Sequence, residues 1–137
     1  MKLIPTGIEN FKELIDKDYY YVDKTNLIVN IINEKVVLYT RPRRFGKTLN
    51  MSMLYYFFSI KEKKNSYLFN HLNISKNIDA LKHQNKYPTI FISLKDMKVP
   101  SMENQLLNFS SIIARLLDQF EDILDYDIFN DREKTLL

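Results

Sequence analysis

The chain has 137 residues, 45% of them hydrophobic, and a formal net charge of +3, which is enough apolar material for the core of one domain and too short a chain for two. It contains no cysteine, which excludes disulfides and thiolate metal sites and fits a reducing cytoplasm. No apolar run approaches the roughly 18 residues of a membrane helix, and Met1-Lys2-Leu3-Ile4-Pro5 breaks too early for a signal peptide.

Ile8, Phe11, Leu14 and Ile15 recur at intervals of three and four, which predicts a short helix near 8–17. Tyr19-Tyr20-Tyr21-Val22 is aromatic and β-prone and reads as a short extended piece. Asp23 can cap a second helix from Thr25 to Asn33, with Leu27, Ile28, Ile31 and Ile32 inward. The polar turn Asn33-Glu34-Lys35 then leads into a β-branched apolar run at 36–40, which predicts a strand.

The segment after that run carries the chemistry. Arg41-Pro42-Arg43-Arg44-Phe45 forms a cationic turn that opens through Gly46-Lys47-Thr48 into a long apolar segment. Strand, tight basic loop and helix, in that order, are what a phosphate-binding loop requires. The first amides of a helix have no intrahelical partner, and the helix dipole adds partial positive charge there. Gly46 would let the backbone approach a phosphate, Lys47 would meet the β/γ-phosphates, and the Thr48 hydroxyl would ligate Mg²⁺. The full pattern is G-x-x-x-x-G-K-[ST], and here Arg41 occupies the first glycine position. Pro42 biases Arg41 towards β. A solvated Arg-rich turn, or a basic patch for a nucleic-acid backbone, remains the alternative. Residues 1–100 carry 17 basic against 9 acidic side chains, a net of +8, and residues 101–137 carry 3 against 8, a net of −5. That asymmetry suits a local anion site better than a uniformly basic nucleic-acid binder.

Residues 48–60 are apolar nearly all round, which predicts a helix buried on most sides, usually against a sheet. Residues 61–65 read as a solvated connection, and 66–85 as two short helical pieces. Tyr87 to Leu94 predicts a second strand with Thr89-Ile90-Phe91-Ile92 at its centre. Pro100-Ser101 starts a helix whose apolar stripe runs from Leu106 to Phe120. His71 and His83 are twelve positions apart and read as surface or packing residues. The carboxylates that hold Mg²⁺ and orient water are not visible as the usual acid at the end of an apolar strand. Asp96 comes too late after the second strand, and Asp125, Asp127 and Asp131 lack the central glycine of a calcium loop.

Four blocks occur in a recognisable order: Ile4-Pro5-x-Gly7-Ile8, then Tyr20-Tyr21-Val22-Asp23-Lys24-Thr25, then Thr40-Arg41-Pro42-Arg43-Arg44-Phe45-Gly46-Lys47-Thr48-Leu49, then Tyr87-Pro88 with Ile90-Phe91-Ile92-Ser93-Leu94-Lys95-Asp96. Together they resemble the bacterial AAA-ATPase-like domain family, closely over residues 4–100 and loosely beyond. The resemblance implies an α/β fold: an incomplete, three-layer P-loop NTPase-like domain with parallel strands near 36–40 and 88–94, forming one partial domain over 1–137. It implies ATP and Mg²⁺ as ligands at a Walker A loop, with Arg43, Arg44, Phe45, Gly46, Lys47, Thr48 and Leu49 binding nucleotide and Thr48 reaching the metal through it. It places Tyr21-Val22-Asp23-Lys24 near the adenine, with a plain helix cap as the equal alternative for Asp23.

Family members continue to a strand resembling Walker B, and often to a nuclease-like domain, so the resemblance implies that this chain is the N-terminal portion of a longer protein. Hydrolysis by this chain alone is not expected, and no catalytic residue is assigned. Uncovered sheet edges would then leave it marginally stable and open to self-association or a protein partner. The competing readings are a nucleic-acid-contacting basic loop without nucleotide use, and an inactive truncated gene product.

Overall fold

The computed structural model describes residues 2–40, 42, 45–94 and 101–120. They fall into two compact units, Met1–Phe91 and Ile92–Leu137. The first holds α1 (Phe11–Asp16), α2 (Asn26–Ile31), α3 (Lys47–Phe58), two 3₁₀ segments (Ile60–Phe69 and Asn73–Lys76) and α4 (Ile78–Leu81). The second holds α5 (Met102–Phe120).

Local chemistry sets the element boundaries. α1 begins later than the apolar spacing predicts, because Gly7 sits at a φ of +76° and Asn10 caps the helix, its side chain accepting the Glu13 amide at 3.1 Å. The α1 chain reverses at Asp18, at a φ of +50°. Ahead of α2, the Asp23 carboxylate accepts the Thr25 amide (2.8 Å) and hydroxyl (2.6 Å). It also accepts the Asn73 amide at 2.6 Å, and the Thr25 hydroxyl accepts the Ile74 amide at 3.2 Å. Asp23 is therefore a structural cap that ties the start of α2 to the second 3₁₀ segment.

α3 is the axis of the first unit. Met53 and Phe57 are fully buried, and Asn50 and Ser52 nearly so. It packs on α1 and on the first 3₁₀ segment through an aromatic cluster. Phe57 meets Phe69 edge-on at 5.1 Å, and Phe11 stacks on Phe69 at 5.3 Å. Ile28, Leu68, Ile74 and Ala80 complete the core. The helix ends at Ser59, where Asn85, held at a φ of +54°, donates from its side chain to the carbonyls of Tyr56 (3.0 Å) and Ser59 (2.8 Å). These bonds satisfy acceptors that a helix C-terminus otherwise leaves orphaned.

The expected α/β architecture is overturned. Among the described residues there is no sheet: neither 36–40 nor 88–94 forms a strand, and the nearest thing to one is an isolated parallel bridge between Ser59 and Tyr87. β-propensity records how a side chain fits a pleated, half-covered surface, and it makes no strand without a neighbouring ladder. Among the described residues this run has no ladder partner, and Val36 is 88% and Leu38 86% exposed. α3 is buried as expected, against helices instead of a sheet. In the second unit, α5 is one continuous helix of 19 residues, with its first turn closed by the Gln105 amide on the Ser101 carbonyl (3.0 Å). Leu106, Leu107 and Phe109 are exposed, while Ile112, Ile113, Leu116 and Leu117 are half-buried. No helix among the described residues is long and apolar enough to cross a membrane.

Candidate functional site

Gly46 precedes α3 in a left-handed conformation, φ +69° and ψ 26°. A side chain there would meet no atom within 4 Å, so glycine is required by backbone conformation and not by space. The turn delivers Lys47, Thr48 and Leu49 as the first three helical residues. The first helical hydrogen bond runs from the Asn50 amide to the Gly46 carbonyl (2.9 Å), and no side chain caps the start. The three amides ahead of it therefore have no intrahelical partner, at the positive end of a 12-residue helix.

Both ends of the loop are anchored. The Asn50 side chain donates to the Tyr39 hydroxyl at 3.0 Å, linking the residue just before the loop to the first turn of the helix after it. Asn50 is itself 2% exposed, and the bond is part-buried.

Gly46, Lys47, Thr48 and Leu49 form one wall of a cleft of about 760 Å³. The opposite wall is the N-terminal stretch 4–9. That wall includes Gly7, the other of the chain's two glycines, also left-handed and also with open space where a Cβ would lie. Next to it lies a smaller cavity of about 250 Å³, which shares Ile4, Pro5, Gly46 and Leu49 with the first and adds Tyr20, Tyr21 and Val22. Tyr21 is locked in place there: its hydroxyl donates to Met53 Sδ (3.5 Å) and accepts the Lys24 amide (3.2 Å). Burial is the main cause that pushes the Tyr21 phenol up to about 12, so it stays neutral and presents an uncharged ring.

Gly46, Lys47, Thr48 and Leu49 thus come together in one cleft. Phe45 is exposed and lines neither cavity. Arg43 and Arg44 lie outside the described residues, as do Arg41, Asp96, Asp125, Asp127 and Asp131. His71 is exposed and His83 stacks on Tyr87. Among the described residues, no three metal-ligating side chains gather. The donors present are hard oxygens and a glycine cradle with room to spare. They suit a small cation that arrives on phosphates, as Mg²⁺ does, and they would not make a cage for a bare metal.

Sequence reasoning missed the opposite wall and the Tyr39–Asn50 clamp. One signal for the wall was available: a chain with only two glycines places both at left-handed turns of the same cleft.

A family model described as "Predicted AAA-ATPase" matches residues 5–135. A stretch of 55 residues is 42% identical to a protein of Azotobacter chroococcum mcd 1 described as an uncharacterized protein in the vnfD 5′ region. That match covers 39% of this chain and 11% of the relative's length. No solved structure matches the chain.

Proposed function

Because this chain belongs to the predicted AAA-ATPase-like family, we propose that it binds ATP with Mg²⁺ in the cleft at the start of α3. The observation that supports the reading is the left-handed Gly46 turn, which starts α3 with Lys47, Thr48 and Leu49 lining one cavity. The triphosphate lies against these amides, where dipole and unpaired N–H groups favour anions. Lys47 takes the terminal phosphates as a mobile point charge, and the Thr48 hydroxyl offers an oxygen to the metal. The metal, when bound, neutralises part of the phosphate charge. The base occupies the small cavity beside Gly46, on the apolar faces of Tyr20, Tyr21 and Val22. Arg43 and Arg44 are assigned to the phosphates from their place in the loop sequence. No hydrolytic step is proposed for this chain. The absence of cysteine fits a cytoplasmic setting.

The test is a titration with labelled ATP, with and without Mg²⁺, on the chain and on Lys47→Ala. The expected result is saturable binding that weakens on the order of tenfold or more when the ammonium is lost, the scale of one charge-assisted contact. Absence of binding, or binding indifferent to Lys47, overturns the reading. DNA binding that falls steeply with salt, without ATP binding, would support the nucleic-acid alternative instead.

A further inference from the structure

We propose that Tyr39 is a positioning residue for the nucleotide: through Asn50, its hydroxyl holds the chain entering the loop against the first turn of α3 before phosphate arrives. The inference rests on the ATP reading above. Tyr39 lines neither cavity, so it acts through its partner and not by touching nucleotide. It also lies ahead of the Gly46-Lys47-Thr48 pattern, which is why a search along that pattern does not find it.

Two bonds meet at Asn50. Its backbone amide donates to the Gly46 carbonyl at 2.9 Å, closing the first turn of α3, and its side-chain amide donates to the Tyr39 hydroxyl at 3.0 Å. One residue therefore joins the left-handed glycine turn to the chain on the far side of the loop. Tyr39 is the exception in its own stretch: it is half-buried, while residues 33–38 and Thr40 are exposed. A run without a ladder partner among the described residues is thus pinned where it enters the loop. Eleven positions separate the two partners, and freedom the chain between them has already lost need not be lost again when phosphate binds.

Removing the hydroxyl acts on the loop. Asn50 is 2% exposed, and a donor left without its acceptor in such a place is more unfavourable than the net bond was favourable. Moving residue 39 away from α3 lets water take the amide and relieves that strain on the folded state. Without the hydroxyl the chain therefore spends more time in arrangements that do not receive phosphate, and the apparent affinity falls in proportion to the competent fraction that remains. The aromatic ring stays in place when one oxygen is removed, so packing is disturbed little.

The experiment measures the affinity of a fluorescent ATP, its displacement by tripolyphosphate, and urea unfolding for the full chain, Tyr39→Phe, Asn50→Leu and the double variant. Tyr39→Phe is expected to weaken ATP about three- to tenfold, the scale of one net hydrogen bond. Tripolyphosphate should weaken by the same factor, since the bond acts at the phosphate end. The double variant is expected to bind no worse than the weaker single, because both changes break the same bond. A Tyr39→Phe protein that binds ATP as the parent does, whatever its urea midpoint, overturns the inference and leaves the ATP reading standing. Losses that add in the double variant also overturn it. So does a loss seen with ATP and not with tripolyphosphate, which would put the effect at the smaller cavity that Asn50 also lines. If Asn50→Leu does not fold, the Tyr39→Phe results decide alone. No ATP binding by the parent overturns both the inference and the ATP reading.

Discussion

Gly46→Ala isolates backbone conformation from sterics at the start of α3. The built Cβ meets nothing within 4 Å, so no clash contributes, and the whole effect comes from holding an L-residue at a φ of +69°. That strain is about 1–2 kcal/mol for alanine. The folded state can carry it in full, lowering stability by that amount and leaving the Lys47–Leu49 amides aimed as before. Alternatively the turn can relax to negative φ, sparing stability and swinging those amides out of the cleft. Because the Tyr39–Asn50 bond holds the loop from both sides, the first outcome is expected: a loss of about 1–2 kcal/mol in urea unfolding, with ATP affinity reduced only a few-fold. Gly46→Asn should recover part of the loss, since asparagine tolerates the left-handed region. If Gly46→Ala unfolds like the parent and binds ATP equally well, or if the asparagine variant is no better than alanine, the reasoning fails.

Asn85→Ala removes two side-chain hydrogen bonds to the end of α3 and places alanine at a φ of +54°. It should cost about 2–4 kcal/mol, whereas Asn85→Gly, which keeps the φ, should cost about 1–3 kcal/mol; equal losses in urea unfolding would refute the strain component. For Asp23, burial works to raise the carboxyl, but the bonds from the Thr25 hydroxyl, the Asn73 amide and the Thr25 amide outweigh it and hold the group below its ordinary value of 3.8. A depressed folded value stabilises above the unfolded value and ceases to do so as pH falls through the folded one. Asp23→Asn should therefore lose about 1–2 kcal/mol at pH 7 and converge on the parent in acid, as read by unfolding across pH. The bare apolar run at 36–38 should drive self-association, so light scattering should show a mass that rises with concentration in the parent and stays monomeric in Val36→Lys/Leu38→Lys; a parent that remains monomeric at high concentration would refute this.

How much of the fold could be read from residues depended on whether burial was local. α3 was legible because its apolar residues surround the helix, and a helix hydrophobic all round has to be enclosed by something. The enclosing elements were not legible. Leu68, Phe69, Ile74 and Ala80 supply half of its core cluster from a stretch that looks polar and unpatterned. That stretch folds as short 3₁₀ pieces and a four-residue helix, too short to show a 3.6-residue period. The strands at 36–40 and 88–94 misled for the opposite reason. Val36-Val37-Leu38 has strong β chemistry, but a strand is a property of a pair, and the propensity of one segment says nothing about a partner.

The site divides the same way. Gly46-Lys47-Thr48 was legible because its chemistry is consecutive: a left-handed glycine, a cation and a hydroxyl need only the next helix to bring them together. The wall at 4–9 is nearly forty residues away in sequence and reaches the cleft through long-range bonds, Phe11 to Ser52 and Asn10 to Tyr56, that no local pattern encodes. Those bonds fix the N-terminal stretch against α3. The phosphate loop proposed above would normally borrow its rigidity from a sheet behind it. Here α3 is held by Phe11, Phe57 and Phe69 on one side and by the Asn85 cap at its far end. Among the described residues no strand ladder supports α3, so the geometry of the cleft depends on the aromatic cluster rather than on β structure.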